Sequence, residues 1–131
     1  AGAVEEDSRA FTQVMEAMRL PKSTADEQRD RDEAIARASR HAASVPLETA
    51  RLCLQVLELA RQAARQGNRH SASDAGVAAL VARAGVEGAA LNVLTNLPSI
   101  KDEAFEAACR EEVARLTAAA GRLCDEVLRL I

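Results

Sequence analysis

Two asparagines interrupt the apolar stretch GVEGAALNVLTNLPS, residues 85–99, where leucine would pack equally well. Asn92 and Asn96 are one helical turn apart, so on a helix they share a face. A buried amide without hydrogen-bond partners costs about 1–3 kcal/mol. The partners are therefore either the protein's own backbone or the polar ring atoms of a ligand. Gly85 and Gly88 lie near them and allow a second helix or a flat ligand to approach closely.

A carboxylate stands on a second apolar face. Asp7 follows Val4 by three residues and precedes Phe11 by four, which places all three on one side of a helix. We expect this carboxylate to be at least partly buried. A partly buried carboxyl group is a candidate general acid or base. The alternative is a carboxylate near a helix end that reaches solvent or pairs with an arginine.

Asp74 is a third polar candidate, on the same predicted helix as Asn92. The two are about five helical turns apart and lie on the same side, so about 27 Å separates them. They cannot share one compact catalytic site within a chain. They mark either the two ends of an elongated groove or two separate functions, and Asp74 alone is typical of a helix start.

Motifs for metal or nucleophilic chemistry are missing from the sequence. His41 and His70 have no second ligand at helical spacing, so we predict no metal site. No serine stands in an elbow motif, and there is no glycine-rich phosphate loop.

The composition predicts one all-α domain over residues 1–131. Twenty-nine residues are alanine, the best helix former, whereas only Phe11 and Phe105 are aromatic. We expect a helical bundle of about five helices with a long, buried central helix.

Charge and cysteine content exclude several classes of protein. A net charge of −3 and the scarcity of aromatic residues disfavour nucleic-acid binding. We find no apolar run of the ~20 residues needed for a membrane span and no signal peptide. Three widely spaced cysteines in apolar patterns are expected to be buried free thiols, which is typical of a cytoplasmic protein.

Local signals place the first helices. Helix 1 is predicted over about residues 3–20, because Pro21 disfavours a helical conformation before it. Thr24 and Glu27 form a capping-box pattern, so the next helix starts near residue 25. Pro46 ends this helix, kinks it or starts a third one that runs to Gln66 and is capped by Gly67.

The remaining helices carry contrasting patterns. Residues 73–97 are apolar on nearly all sides and should form the central helix, which Pro98 ends. Ser99 is expected to cap the last helix, from residue 100 to the C-terminus. That helix has a heptad pattern of apolar residues and should pack along a partner helix, either within the chain or in a second subunit.

Five segments in this order resemble the cyclodeaminase/cyclohydrolase family: D-x-x-A-F with A-x-R-L-P-K, then S-V-P-L, S-D and N-V-x-x-N-L. The resemblance covers essentially the whole chain. It implies a helical bundle that forms a homodimer and acts on one-carbon derivatives of tetrahydrofolate without a metal. The activity would be formiminotetrahydrofolate cyclodeaminase or methenyltetrahydrofolate cyclohydrolase, and the motifs do not choose between them.

The resemblance also assigns roles to residues. Asp7 is the predicted catalytic acid or base. Lys22 would attract the acidic tail of the folate, and Asn92 and Asn96 would pair with pterin edge atoms or hold a water molecule. Asp74 completes the predicted substrate-binding set.

One departure from the family pattern matters. Relatives usually begin with a helical segment containing a Pro-Gly-Gly-Gly-Ser type stretch, which this sequence lacks before Glu5. We therefore expect either an N-terminally truncated form or a degenerate relative of the family. The alternative function is a non-catalytic helical dimerisation module or an inactive fragment of such an enzyme.

Overall fold

The computed structural model describes residues 2–67 and 71–131. Four α-helices follow one another: α1 (Gly2–Met18), α2 (Ala25–Gln66), α3 (Ala72–Asn96) and α4 (Glu103–Leu130). A short 3₁₀ turn, Leu97–Ser99, links α3 to α4. No strand occurs in the described ranges. The all-α prediction is confirmed, with four helices where about five were expected.

The missing boundary is the one predicted at Pro46. This residue lies inside α2, which continues through it for a total of 42 residues. A proline within a helix removes one backbone hydrogen bond, and the helix survives where tertiary contacts compensate. Here Pro46 and its neighbours are buried against the other helices.

Helix ends follow the local chemistry at two predicted positions. The Thr24 hydroxyl accepts from the Glu27 amide at 3.1 Å, and the Glu27 carboxylate accepts from the Thr24 amide at 3.2 Å. The predicted capping box is therefore present. At the last helix the cap is Asp102 rather than Ser99, because its carboxylate accepts from the Phe105 amide at 3.0 Å.

The hydrophobic core lies among α2, α3 and α4. Alanines at the helix contacts let the backbones approach closely. Gly85 on α3 shows this most clearly, since a Cβ atom there would lie 2.7 Å from the Sγ atom of Cys53 on α2. The heptad pattern of α4 is buried within the chain, which answers the question of its partner. Its buried members are Cys109, Val113, Leu116, Ala120, Leu123 and Val127.

α3 is less enclosed than predicted. One side is fully buried, through residues such as Val86 and Val93. The opposite side is open, with Val77, Val81 and Leu91 each more than 60% exposed. The prediction of a buried central helix is therefore wrong for half of its surface, because the described helices cover only one side of it.

The same helix is relevant to membrane insertion. Ala72–Ser99 is long and apolar enough to cross a membrane by length and composition alone, with a mean hydropathy of 1.5. Our expectation that no such run exists was too strict. Core helices of water-soluble proteins meet the same criterion, and Arg83 and Glu87 form a 2.9 Å ion pair along this helix.

Candidate functional site

A groove runs between α1 and α3, with α2 as its floor. It consists of two adjoining pockets that share Asp7 and Asn92 as lining residues. The first, which we call the Pro46 pocket, has a volume of about 280 Å³. The second, the Asn96 pocket, has a volume of about 370 Å³. Together they fall within the range of small-molecule sites.

Asp7 projects from α1 at the junction of the two pockets. It is exposed, which agrees with the alternative of a carboxylate that reaches solvent and not with the expected partial burial. The reason is that α1 packs on α2 through Ala10 and Ala17 rather than through the face that carries Asp7. Within residues 2–67 and 71–131 its carboxylate makes no hydrogen bond or ion pair. The carboxylate is thus available to a ligand.

Two polar contacts hold α1 in place beside α2. His41 Nε2 lies 3.0 Å from Glu6 Oε1, one residue from Asp7. At the other end of α1, the Arg31 guanidinium donates to the Met18 carbonyl at 3.1 and 3.3 Å. Both contacts join α1, which carries Asp7, to α2, which forms the floor of the groove.

The two asparagines differ in their surroundings. Asn92 is exposed at the junction of the pockets, and its side chain has no hydrogen-bond partner in the described part of the chain. Asn96 is half-buried, and its Nδ2 atom donates to the backbone carbonyls of Asn92 at 3.0 Å and Ala42 at 3.4 Å. The protein's own backbone therefore satisfies the side-chain N–H donors of Asn96. It satisfies no polar atom of the Asn92 side chain.

Apolar side chains of α1 form one wall of the groove. Phe11 is 65% exposed, and it lines the Asn96 pocket together with Val14, Met15 and Met18. A flat ring system would find an aromatic and thioether surface there. In the sequence these residues form only an apolar stripe on the first helix, with no sign of a binding role. The spacing of seven between Val4, Phe11 and Met18 is the sequence signal that could have identified a separate binding face on this helix. The structure shows that the buried face of α1 consists of alanines instead.

Two predicted residues lie away from the groove. Asp74 sits in the first turn of α3 and lines a separate apolar pocket with Val56 and Leu59. Lys22 is exposed in the link between α1 and α2, four residues beyond Met18. The structure thus brings together Asp7, Asn92 and Asn96, and leaves Asp74 and Lys22 outside both pockets.

Metal ligation finds no support among the described residues, which contain no group of three His, Cys, Asp or Glu side chains able to hold an ion. His41 pairs with Glu6 instead. His70, which was considered for ligation from the sequence, lies outside the described residues.

The shifted ionisable groups lie outside the groove linings. The Arg51 guanidinium donates two hydrogen bonds of 2.8 Å to Glu112 and lowers the pKa of that carboxyl group. The same contact raises the pKa of Arg51. Burial raises the pKa of the Cys109 thiol, so it stays protonated at neutral pH. These groups join α4 to α2 and have structural roles.

Comparison with known proteins gives a consistent set of similarities. Residues 1–115 match the family model described as formiminotransferase-cyclodeaminase. The chain is 40% identical over 130 residues to methenyltetrahydrofolate cyclohydrolase of Methylorubrum extorquens, which covers 99% of this chain and 62% of that protein. It is 37% identical over 113 residues to formimidoyltransferase-cyclodeaminase of Sus scrofa, covering 86% of this chain and 21% of that protein.

The fold is shared with a solved structure. The crystal structure of formiminotetrahydrofolate cyclodeaminase from Thermotoga maritima superposes with a TM-score of 0.83 at 29% sequence identity. The match covers 98% of this chain and 60% of the other. The chain therefore spans about three fifths of the length of these two bacterial proteins.

Proposed function

Because the chain belongs to the formiminotransferase-cyclodeaminase family, we propose that its groove binds a one-carbon derivative of tetrahydrofolate and carries out cyclodeamination or cyclohydrolysis. The family assignment confirms the resemblance found in the sequence. The named relatives are enzymes, so the alternative of a non-catalytic dimerisation module is not favoured.

One observation carries this proposal. Asp7, Asn92 and Asn96, which come from helices far apart in the sequence, line one groove with an apolar wall. A pterin ring needs both features, an apolar surface for its faces and polar groups for its edge. The exposed Asp7 carboxylate and the Asn92 amide have no internal partners in the described ranges and can serve that edge or the reacting carbon.

Asp7 is the proposed acid–base group in both reactions. In cyclohydrolysis a water molecule adds to the cationic methenyl carbon, and the carboxylate accepts the proton that this water loses. The bond from this carbon to N5 then breaks, N5 takes a proton, and the one-carbon unit stays on N10 as a formyl group. In cyclodeamination N10 adds to the formimino carbon of the protonated substrate and loses its proton to the carboxylate. The carboxyl group passes this proton to the former imino nitrogen, and the bond between that nitrogen and the carbon breaks, which releases ammonia and leaves the methenyl bridge. Asn92 would orient the water or the substrate edge, and Asn96 would contact the ring.

Lys22 has a weaker proposed role. It lies beyond the Met18 end of the Asn96 pocket, so it could attract the acidic tail of a folate only outside the groove proper. Asp74 is too distant along α3 to contact the same ring. If it binds substrate, it must do so at another part of an extended molecule or in another subunit.

The test is spectroscopic. The protein is mixed with 5,10-methenyltetrahydrofolate and the loss of its near-ultraviolet absorption is followed; with 5-formiminotetrahydrofolate the same band should appear. We expect one of these activities, and we expect Asp7→Asn to reduce it by about 100-fold or more. Glu16→Gln, an exposed acid on the same helix outside the groove, is the control. Full turnover in a folded D7N protein would refute the role of Asp7.

We also infer that a second copy of the chain covers the open side of α3. The exposed residues there form a stripe at alternating spacings of four and three, which is the pattern of a helix-packing face. Gly88 lies in the middle of this stripe, and a Cβ atom added there would meet nothing within 4 Å. The stripe consists of Val77, Val81, Ala84, Gly88, Leu91 and Thr95.

The total surface supports this inference. The accessible area is 8221 Å², whereas a monomer of this mass should expose about 6,700 Å². The excess of about 1,500 Å² lies within the range of roughly 1,000–2,500 Å² that each subunit of an obligate homodimer buries. Light scattering after gel filtration should give a dimer, and Leu91→Lys should give a monomer. Ala114→Lys, on an exposed position of α4, is the matched control. A monomeric wild type would refute this inference.

A further inference from the structure

Pro46 leaves one carbonyl of α2 without its helical partner. Proline has no backbone N–H, so the carbonyl oxygen of Ala42, four residues earlier, cannot receive the usual hydrogen bond. Ala42 is only 8% exposed. A carbonyl in so enclosed a residue is expected to find another donor.

Asn96 of α3 supplies that donor. Its Nδ2 atom lies 3.4 Å from the Ala42 oxygen and 3.0 Å from the Asn92 oxygen. Both partners are carbonyl oxygens, which accept hydrogen bonds and cannot donate them. The nitrogen of the amide must therefore face them. This fixes the orientation of the side chain, and its Oδ1 atom points away from both carbonyls.

The Oδ1 atom is the unused part of the amide. Within residues 2–67 and 71–131 it receives no hydrogen bond. Asn96 lines the same pocket as Phe11, beside the apolar wall. An acceptor held at this place is suited to a ring that carries N–H donors along its edge.

We propose that Pro46 is a positioning residue: by freeing the Ala42 carbonyl it holds Asn96 so that Oδ1 accepts a hydrogen bond from a ligand N–H group. This inference rests on the proposed function, in which the donors are the amide N–H and amino group of the pterin ring. It assigns an acceptor role to Asn96, and it gives the missing backbone hydrogen bond of α2 a purpose at the site.

A purely structural reading predicts a different response to Pro46→Ala. Alanine restores the backbone N–H at position 46, which then donates to the Ala42 carbonyl. The helix becomes regular, and the fold is at least as stable. If Asn96 serves only to satisfy the carbonyl, ligand binding is unchanged. In our proposal, Asn96 loses one of its two anchors and the acceptor is no longer held, so binding weakens in a protein that is as stable as wild type.

Titration calorimetry with 5-formyltetrahydrofolate, a stable reduced folate, tests this on the full chain. We expect Asn96→Ala to weaken binding about tenfold and Pro46→Ala about threefold. The double variant should bind like N96A alone, because Pro46 acts through Asn96. If the proline ring instead contributed to binding as part of the pocket wall, Pro46→Ala would weaken binding further in the Asn96→Ala protein. Asn96→Asp keeps an oxygen but loses both N–H donors, so it should also weaken binding.

The control ligand is p-aminobenzoylglutamate, which lacks the pterin ring and should bind wild type and variants equally. Unchanged folate affinity in P46A or in N96D would overturn the proposal while leaving the proposed function intact. Additive losses in the double variant would overturn it as well. If wild type fails to bind 5-formyltetrahydrofolate, both this inference and the folate function are wrong.

Discussion

Asp7 on α1 and Asn92 on α3 line both pockets of the groove, so a ligand that fills the groove passes between a carboxylate and an amide. Neither side chain has a partner of its own in the part of the chain that the structure describes. Both are exposed, and removing either leaves no buried group unsatisfied. This separation of site from core makes the predicted roles testable without loss of folding.

Asn92→Ala should raise the KM for the folate substrate about five- to thirtyfold, because one or two hydrogen bonds of about 1 kcal/mol each are lost. The melting temperature should stay within about a degree of wild type, since surface substitutions of this kind have small effects. Gln62→Ala removes an exposed amide from α2, outside the groove linings, and serves as the control. An unchanged KM would remove Asn92 from the site.

Gly85→Ala should destabilise the protein by about 1–3 kcal/mol, because the new methyl group would lie 2.7 Å from Cys53 Sγ and force α2 and α3 apart. Gly121→Ala is the matched control on α4. A Cβ atom there meets nothing within 4 Å, so the higher helix propensity of alanine should add up to about 1 kcal/mol. Urea unfolding measures both. Equal stabilisation by the two substitutions would contradict the close packing at Gly85.

The Arg51–Glu112 pair should make stability depend on pH. Because Arg51 lowers the pKa of Glu112 below its ordinary value of 4.5 in the folded state, the ionised carboxylate favours folding. This contribution to stability is complete above about pH 6. It is lost as the pH falls below 4.5, the ordinary pKa, and through the lower pKa that Glu112 has in the folded protein.

Glu112→Gln should therefore cost about 1 kcal/mol at pH 7, a modest value since the two side chains are 26% and 42% exposed. The difference from wild type should shrink as the pH is lowered toward 3. Glu111→Gln alters an exposed neighbour and should show no such trend. Chemical unfolding at several pH values checks this, and a difference that grows on acidification would contradict the assigned sign.

Thiol labelling should distinguish the three cysteines. Cys53 is half-buried, whereas Cys109 and Cys124 are buried. The raised pKa of Cys109 further reduces its thiolate fraction. We expect one thiol to react with a maleimide in the native protein and three after denaturation. The sequence-based expectation that all three are buried is wrong for Cys53. Three fast-reacting thiols in the native state would contradict the packing of α4.

Much of the helical framework was determined by the sequence alone, because its signals are local. The capping box at Thr24 and Glu27 needs only residues three apart. The heptad pattern of α4 identified its buried face, since helical periodicity maps directly onto one side. The family motifs named Asp7, Asn92 and Asn96 before any geometry was known. Their roles remain proposals.

Only the tertiary structure decided which of these residues meet. Pro46 was expected to break or kink α2, yet an amide from another helix satisfies the carbonyl that it frees. Asp7 was expected to be partly buried, yet its face lines an open groove because α1 packs through its alanines. Periodicity reveals that a helix has an apolar face, but not whether that face meets core, ligand or a second chain. That depends on contacts between residues far apart in sequence, which local patterns do not encode.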